Sequence, residues 1–229
     1  MALPDRFKCI VTNWDYLYGL CREVAEQIKH SDFRPDIIVA LARGGWFPSR
    51  VLCDFLGLDD LTSLKIEHYV GTGLAGQGPH IRYPLNGDAL AGKRVLIVDD
   101  IADTGKSLLH ALDYVYSLKP AEVRTATLQH LDTSEYRADF VGEELAEWAW
   151  VIFPWNFLED MIDLTSRLMK RVQLKEWTDD DVAQKLLEYH RLEPAYLEMV
   201  QPGRVREVLW EMERRGLVVK VGEGAWRPK

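Results

Sequence analysis

Short apolar runs alternate with longer amphipathic segments over most of the chain. The runs at residues 36–42 and 94–98 have the length and composition of buried β-strands. The predicted strands are 36–42, 64–69, 94–98, 123–128 and 148–153, and the predicted helices are 12–29, 48–56, 104–119 and 156–172. Strands that alternate with helices in this way predict an α/β fold with a mainly parallel sheet flanked by helices.

The pattern changes after residue 174. Residues 175–229 hold ten basic and eleven acidic side chains, so most of the net negative charge lies before them. The elements predicted in this tail are helices at 179–192, 194–200 and 203–216 and a short hairpin over 217–227. Three helices followed by a hairpin resemble a winged helix. We therefore predict a core domain at residues 1–174 and a winged-helix-like segment at 175–229.

Composition narrows the class of protein. The 229 residues carry a net charge of −8, which argues against extended binding of nucleic acid. No apolar run approaches the roughly 20 residues that cross a bilayer, and charged residues interrupt the start of the chain where a signal peptide would be apolar. Cys9, Cys21 and Cys53 lack the spacing of a disulfide framework or a zinc site, so we expect buried thiols in a reducing cytoplasm.

The segment at residues 95–107, VLIVDDIADTGKS, has the strongest chemical pattern. Its apolar strand delivers Asp99 and Asp100 to the edge of the sheet, where parallel α/β sheets bind ligands. The turn and helix start that follow offer backbone N–H groups, hydroxyls and the positive end of a helix dipole to a phosphate. The residues suited to that phosphate are Thr104, Gly105, Lys106 and Ser107. Paired carboxylates beside it suit ribose hydroxyls or a Mg²⁺ ion.

This segment closely resembles the phosphoribosyl-pyrophosphate (PRPP) signature of type I phosphoribosyltransferases, which has four hydrophobic residues, two acids and a D-T-G-x-[ST] loop. The resemblance implies that Ala102 and Asp103 join the loop that binds the 5′-phosphate. It implies that Asp99 and Asp100 hold the ribose hydroxyls directly or through water on a Mg²⁺ ion. Asp103 would also take or share the proton of the purine imidazole nitrogen.

Residues 42–48, ARGGWFP, resemble the pyrophosphate loop of the 6-oxopurine phosphoribosyltransferases. Glycines let the backbone approach an anion closely, and arginine adds a planar charged fork. The resemblance assigns Arg43 and Gly44 to pyrophosphate. Lys65 lies on the strand that enters the next loop, where it either reaches pyrophosphate or is a solvated surface lysine. That loop, residues 71–79, has four glycines in nine positions and is expected to close over the site.

Residues 150–155, WVIFPW, are similar to the base-binding segment near the end of the 6-oxopurine enzymes' core. The resemblance implies that Trp150 packs on the purine while Val151 and Ile152 offer backbone contacts. Trp148 or Trp155 is the alternative for the stacking role.

One departure from the family leaves the base open. The 6-oxopurine enzymes usually place a lysine after the strand that corresponds to residues 123–128, where it donates to the purine O6. This chain has Gln129 and His130 there, and either could donate a hydrogen bond. His130 is therefore a candidate purine contact, with a simple loop role as the alternative. Hypoxanthine, guanine, xanthine and a less usual base all stay open.

These resemblances imply a cytoplasmic, Mg²⁺-dependent purine phosphoribosyltransferase of purine salvage, a pentosyltransferase that binds PRPP and a purine base and forms a homodimer. One alternative is a PRPP- or purine-sensing transcriptional regulator, and another is a phosphoribosyltransferase for a non-purine base. A regulator would use the tail arginines on DNA: Arg204, Arg206, Arg214 and Arg215. Glutamates interleaved with them favour ion pairs on a solvated helix instead. Retention of Asp103 favours catalysis over a purely sensing role. From the net charge and the lack of a long apolar run, we expect neither a nucleic-acid nor a membrane partner.

Overall fold

The computed structural model describes residues 4–67 and 80–229. The strands of these ranges are β1 (Cys9–Val11), β2 (Ile37–Leu41), β3 (Leu61–Leu64), β4 (Ile66–Glu67), β5 (His80–Ile81), β6 (Arg94–Ala102), β7 (Glu122–Leu131), β8 (Phe140–Leu145), β9 (Trp150–Ile152), β10 (Val218–Gly222) and β11 (Ala225–Pro228). The helices are α1 (Trp14–His30), α2 (Trp46–Leu56), α3 (Lys106–Ser117), α4 (Phe157–Val172), α5 (Asp179–His190), α6 (Pro194–Val200) and α7 (Arg204–Arg214).

The chain divides into two compact units. One, which we call the sheet unit, is Asp15–Trp148. The other, which we call the tail unit, combines Met1–Trp14 with Ala149–Lys229. The predicted winged-helix-like segment thus shares a unit with both β1 and β9. The domain boundary at residue 174 stays a prediction from composition.

The sheet unit is built on a parallel sheet of five strands in the order β3-β2-β6-β7-β8. Every residue of β2 is buried, as its uninterrupted apolar sequence requires of a central strand. Val95 and Ile97 of β6 belong to one apolar core with Leu108, Ala111 and Val115 of α3. A parallel sheet with packed helices confirms the predicted α/β fold class.

Several boundaries differ from those predicted. The strand predicted at residues 94–98 continues to Ala102, because β7 pairs with its polar end as well as its apolar start. The edge strand β8 and the short strand β1 were absent from the predicted elements. The first helix begins at Trp14 rather than at residue 12, and the hydroxyl of Thr12 donates to the carbonyl of Ile152 at 3.1 Å.

The tail unit contains the predicted helices and hairpin. Strands β10 and β11 form an antiparallel pair, and Trp177 exchanges two backbone hydrogen bonds with Trp226, at 2.8 and 2.9 Å. Both tryptophans are almost fully buried, so they form the core under the hairpin. The short strands β1 and β9 pair in parallel, with Ile10 opposite Val151.

The three cysteines are free and buried, which confirms the expectation of unpaired thiols. Burial raises the pKa of the Cys9 and Cys21 thiols to about 12. Within residues 4–67 and 80–229, no helix has both the length and the apolar character needed to cross a membrane.

Candidate active site

The two adjacent carboxylates lie inside β6, where the sheet fixes their backbone. Asp99 pairs with Thr127 of β7. One carboxylate oxygen of Asp99 accepts a hydrogen bond from the Asp100 N–H at 3.0 Å, and one of Asp100 accepts from the Ile101 N–H at 2.9 Å. These local bonds hold both side chains near the carboxyl end of a central strand, which is where parallel sheets bind ligands.

The electrostatics of this pair favour a cation. Burial raises the pKa of the Asp99 carboxyl well above its usual range, and the nearby charge of Asp100 raises it further. A divalent cation would relieve that repulsion. No cluster of three or more metal-ligating side chains occurs in the part of the chain that the structure describes. Asp99 and Asp100 therefore fit a Mg²⁺ ion that takes its other oxygens from water and a bound substrate.

The loop after β2 packs directly on this pair. A side-chain Cβ at Gly44 would lie 2.0 Å from an Asp100 carboxylate oxygen, and one at Gly45 would lie 2.4 Å from the Val98 carbonyl oxygen. Only glycine fits at either position, so the backbone of this loop comes against the carboxylates. Arg43, which is exposed, precedes the two glycines, and the peptide bond from Ala42 to Arg43 is cis.

Lys65 lies at the neighbouring strand end. The Ala42 N–H donates to the Leu64 carbonyl oxygen at 2.7 Å, which joins the end of β2 to the end of β3. Lys65 directly follows Leu64 and is half-buried. The structure thus places Arg43, Gly44 and Lys65 at adjacent strand ends of one sheet.

The loop between β6 and α3 has the form of an anion cradle. Gly105 has a φ of +75°, and a Cβ there would lie 2.6 Å from the Ser134 hydroxyl and 2.7 Å from the Tyr136 nitrogen. The N-cap residue of α3 is Gly105, which has no side chain to cap the helix, and the Lys106 N–H donates to the Thr104 hydroxyl at 3.4 Å. The other backbone N–H groups of the first helical turn, with the positive end of the helix dipole, would suit an anion beside Thr104 and Ser107.

Two side chains of this loop differ in their contacts. The Lys106 ammonium lies 3.6 Å from a Glu135 carboxylate oxygen, and both side chains are largely exposed. Asp103 is exposed and makes no hydrogen bond or ion pair with any residue in the described ranges. Its carboxylate is thus available to accept a proton from a bound ligand. Ala102, in contrast, is buried as the last residue of β6.

Gln129 and His130, the two candidates for the role of the lysine that this chain lacks, have different contacts at the end of β7. The Gln129 amide nitrogen donates to a Glu143 carboxylate oxygen at 2.8 Å and to the Tyr16 hydroxyl at 3.2 Å. His130 is 5 % exposed, its Nε2 lies 3.9 Å from a Glu144 oxygen, and its buried Nδ1 has no partner among residues 4–67 and 80–229. Since the Gln129 donors already have partners, His130 is the better placed of the two to bind a ligand.

Tyr16 and Glu143 were not predicted as site residues from the sequence. Tyr16 also donates to a Glu143 carboxylate oxygen, so the two residues enclose the Gln129 amide. No local signal identified them, because β8, which carries Glu143, has a polar second half that resembles a loop.

In the tail unit, β9 holds the aromatic segment. The Trp150 N–H donates to the Lys8 carbonyl at 2.9 Å, while Val151 and Ile152 are buried. The Trp150 side chain is partly exposed, and its indole N–H has no partner in the described part of the chain. Trp155 stacks on Phe153, with ring centroids 4.8 Å apart. One face of Trp155 is therefore covered, which leaves Trp150 better suited to stacking. The predicted loop at residues 71–79 lies outside the described residues.

Comparison with known proteins identifies the family. The model of the phosphoribosyl transferase domain matches residues 11–159, and the chain belongs to this family. The xanthine-guanine phosphoribosyltransferase of Gluconobacter oxydans is 29 % identical over 157 residues, which are 67 % of this chain and 88 % of that protein. The hypoxanthine-guanine phosphoribosyltransferase of Saccharomyces cerevisiae is 29 % identical over 139 residues, or 54 % of this chain and 61 % of that protein.

Solved structures agree with this assignment. The crystal structure of a purine phosphoribosyltransferase from Pyrococcus horikoshii matches with a TM-score of 0.58 and 32 % identity, over 64 % of this chain and 93 % of that one. The Helicobacter pylori xanthine-guanine-hypoxanthine phosphoribosyltransferase matches with a TM-score of 0.57 at 23 % identity, over 69 % of this chain and 99 % of that one, which supports the fold. Residues 160–229 lie beyond the match to the family model.

Proposed function

We propose that this protein transfers the 5-phosphoribosyl group from PRPP to a purine base and forms a nucleoside monophosphate and pyrophosphate. The observation that carries the proposal is the contact of Gly44 with Asp100, which puts the candidate pyrophosphate loop against the candidate ribose carboxylates. Family membership and the names of the relatives, which act on xanthine, hypoxanthine and guanine, support the same reaction.

In this proposal PRPP binds along the carboxyl edge of the parallel sheet. The 5′-phosphate lies on the N–H groups of the loop formed by Ala102, Asp103, Thr104, Gly105, Lys106 and Ser107. Arg43, Gly44 and Lys65 bind the diphosphate, and Asp99 with Asp100 orients the ribose hydroxyls. The same two carboxylates would hold a Mg²⁺ ion, whose charge stabilises the negative charge that develops on the departing diphosphate.

The chemical step exchanges one bond at the ribosyl carbon for another. The bond to the diphosphate oxygen breaks, a bond to the purine imidazole nitrogen forms, and the ribosyl ring has oxocarbenium character between them. The Asp103 carboxylate accepts the proton that the purine nitrogen loses. Its exposure and its lack of a partner among the described residues support this role.

Base recognition is the part in which this chain departs from its family. We propose that Trp150 stacks on the purine, that Val151 and Ile152 offer backbone groups to its edge, and that His130 takes the position of the missing lysine. The unpartnered Nδ1 of His130 supports this choice. A ring N–H of histidine donates a hydrogen bond, so it suits the oxygen of a 6-oxo group.

The names of the relatives support purine salvage, whereas a cytoplasmic location and a homodimer stay predictions from the family resemblance. A DNA-binding regulator is not supported by the tail. Arg206 hydrogen-bonds Asp179 at 2.9 Å, and Arg214 and Arg215 both pair with Glu211, at 3.3 and 2.8 Å. These arginines are engaged with acidic side chains rather than collected into a basic surface.

The experiment that tests the function is an assay of pyrophosphate release. The full chain is incubated with PRPP, Mg²⁺ and, in separate reactions, hypoxanthine, guanine, xanthine, adenine or uracil. We expect release with one or more of the 6-oxopurines and none without a base. Turnover with uracil alone would show that the substrate is a pyrimidine base rather than a purine. No turnover with any base, together with salt-sensitive retention on DNA, would favour the regulator.

A further inference from the structure

Helix α6 lies beyond the family match, and it is hydrogen-bonded to the short strand pair that carries the aromatic segment. The Tyr196 hydroxyl donates to the Val11 carbonyl oxygen at 3.0 Å. The Gln201 side-chain amide, just after α6, donates to the Thr12 carbonyl oxygen, also at 3.0 Å. Gln201 is only 6 % exposed and Thr12 only 4 %, so this second bond is made in a buried place.

The carbonyls of Val11 and Thr12, which accept these two hydrogen bonds, belong to residues that are themselves paired or hydrogen-bonded with β9. Val11 is opposite Ile152 in the parallel register. The Thr12 N–H and hydroxyl both donate to the Ile152 carbonyl oxygen, at 3.0 and 3.1 Å. A continuous set of hydrogen bonds therefore runs from Gln201 through Thr12 to Ile152, which is the end of the candidate purine-binding strand.

The Gln201 amide has a second contact, through its oxygen. Its carbonyl oxygen accepts from an Arg204 guanidinium nitrogen at 3.4 Å, which leaves the amide nitrogen directed at Thr12. The same guanidinium lies 4.4 Å from the centroid of the Phe157 ring, at the start of α4. Arg204 thus links the turn after α6 to the helix that directly follows the aromatic segment.

The strand pair needs such support. Strands β1 and β9 have three residues each and pair only with one another among the described strands, and an isolated two-stranded pair of this kind is marginal in water. The match to the family model ends at residue 159, before either Tyr196 or Gln201. The tail supplies them.

We propose that Tyr196 and Gln201 are positioning residues for the purine: they fix β1, and through it the Trp150–Ile152 strand on which the base stacks. The inference rests on the proposed function, because it assigns the tail a part in base binding. Loss of either hydrogen bond leaves the Val11 or Thr12 carbonyl unpaired and lets β9 shift. PRPP, whose proposed contacts are on other strands, keeps its affinity.

The test compares Tyr196→Phe, Gln201→Met and the double variant with wild type in steady-state assays. Gln201→Met keeps the side-chain length and removes the amide. Each single change should raise the KM for the purine about three- to tenfold, the usual range for one hydrogen bond. The KM for PRPP and the kcat at saturating base should stay within about twofold. Gln201→Asn, which keeps a shorter amide, should recover part of the loss.

Matched controls use the same substitutions at exposed positions. Gln184→Met changes an exposed glutamine of α5, and Tyr116→Phe changes an exposed tyrosine of α3. Neither should alter the KM for the purine. An unchanged purine KM in Gln201→Met and Tyr196→Phe, or an equal rise in the KM for both substrates, would overturn the positioning role.

A second readout does not need turnover. Amide hydrogen exchange of residues 9–12 and 150–152 should accelerate in Gln201→Met and stay unchanged in Gln184→Met. Equal exchange in the two variants would show that Gln201 does not hold the strand pair. If the wild type turns over no base while exchange responds as expected, the proposed function has failed and the hydrogen-bonded support has not. If the wild type is active but neither the purine KM nor the exchange rates change in the variants, only the positioning role has failed.

Discussion

Gly44 lies in the loop after β2 and Asp100 lies in β6, yet the two residues are so close that a Cβ on Gly44 would overlap the Asp100 carboxylate. We predict that Gly44→Ala lowers kcat/KM for PRPP about 10²-fold, because a methyl group 2.0 Å from the Asp100 carboxylate must displace the loop or the carboxylate. Steady-state assays with varied PRPP measure this effect. The matched control is Gly19→Ala in α1, where a Cβ meets nothing within 4 Å, and this variant should be fully active. Equal activity of the two variants would contradict the role of the contact.

Asp103 is the residue whose removal separates chemistry from binding. We predict that Asp103→Asn lowers kcat by about 10²–10⁴-fold, the usual contribution of a general base, while PRPP still binds. Single-turnover assays and equilibrium binding of PRPP measure the two properties. Asp113→Asn, at an exposed position of α3, should leave both unchanged. Unaltered turnover in Asp103→Asn would remove this residue from the mechanism.

Single residues were predictable from sequence where their chemistry is local. Asp99, Asp100 and Asp103 follow one another along a strand and a turn, so a single short stretch of sequence carries their pattern. Tyr16 and Glu143 were not predictable, because they reach Gln129 only when α1 and β8 pack beside β7. Residues far apart in sequence leave no local pattern to detect.

At the scale of elements, the polar ends of strands caused the main errors. The acidic end of β6 and the glutamate-containing end of β8 have the composition of loops. Both ends nevertheless pair with β7. Strand pairing is decided by the neighbouring strand rather than by the residues of one strand alone. The tail helices were easier, because helix hydrogen bonds and caps are local.

The start of α5 provides an element-scale prediction. The Thr178 hydroxyl accepts from the Asp181 N–H at 3.1 Å, and an Asp181 carboxylate oxygen accepts from the Thr178 N–H at 2.9 Å. We predict that Thr178→Ala lowers the free energy of unfolding by about 1 kcal/mol, through loss of this capping box. Urea denaturation measures the change. Thr133→Ala, at an exposed loop position, should cost much less, and an equal cost would mean that the cap does not stabilise the tail.

At the scale of the whole molecule, the net charge of −8 describes neither the candidate site nor the tail well. Part of the acidity, at Asp99, Asp100 and Asp103, belongs to the site proposed for an anionic substrate. In the proposed complex, backbone N–H groups and Lys106 would bind the 5′-phosphate, and Arg43 would bind the diphosphate. Overall charge therefore limits extended surfaces for nucleic acid more than it limits a local cradle for phosphate.

The stability of the molecule should depend on pH through His190. This histidine is 2 % exposed, its ring centroid lies 4.5 Å from that of Phe7, and burial lowers its pKa, with the charge of Arg167 acting in the same direction. Below about pH 6.5 the unfolded chain takes a proton that native His190 does not take until a lower pH. The contribution of His190 to the free energy of unfolding should therefore be complete above about pH 6.5, and the free energy should decrease as the pH falls below that value.

Urea denaturation at pH 7.5 and pH 5 measures this dependence. His190→Gln should reduce the loss of stability between the two conditions, because glutamine takes no proton. His30→Gln, at an exposed position of α1, is the matched control and should keep the wild-type loss. The same loss in His190→Gln and in wild type would show that another group is responsible.

The sequence by itself determined the alternation of strands and helices, the 95–107 strand–turn–helix and the tail elements, because each depends on neighbours along the chain. Only the tertiary structure decided which loops meet. It packed Gly44 on Asp100, enclosed the Gln129 amide between Tyr16 and Glu143, and joined Gln201 to Thr12. The physical reason is that such contacts depend on strand order and helix packing, which bring distant residues within hydrogen-bonding distance and leave no period or spacing in the sequence.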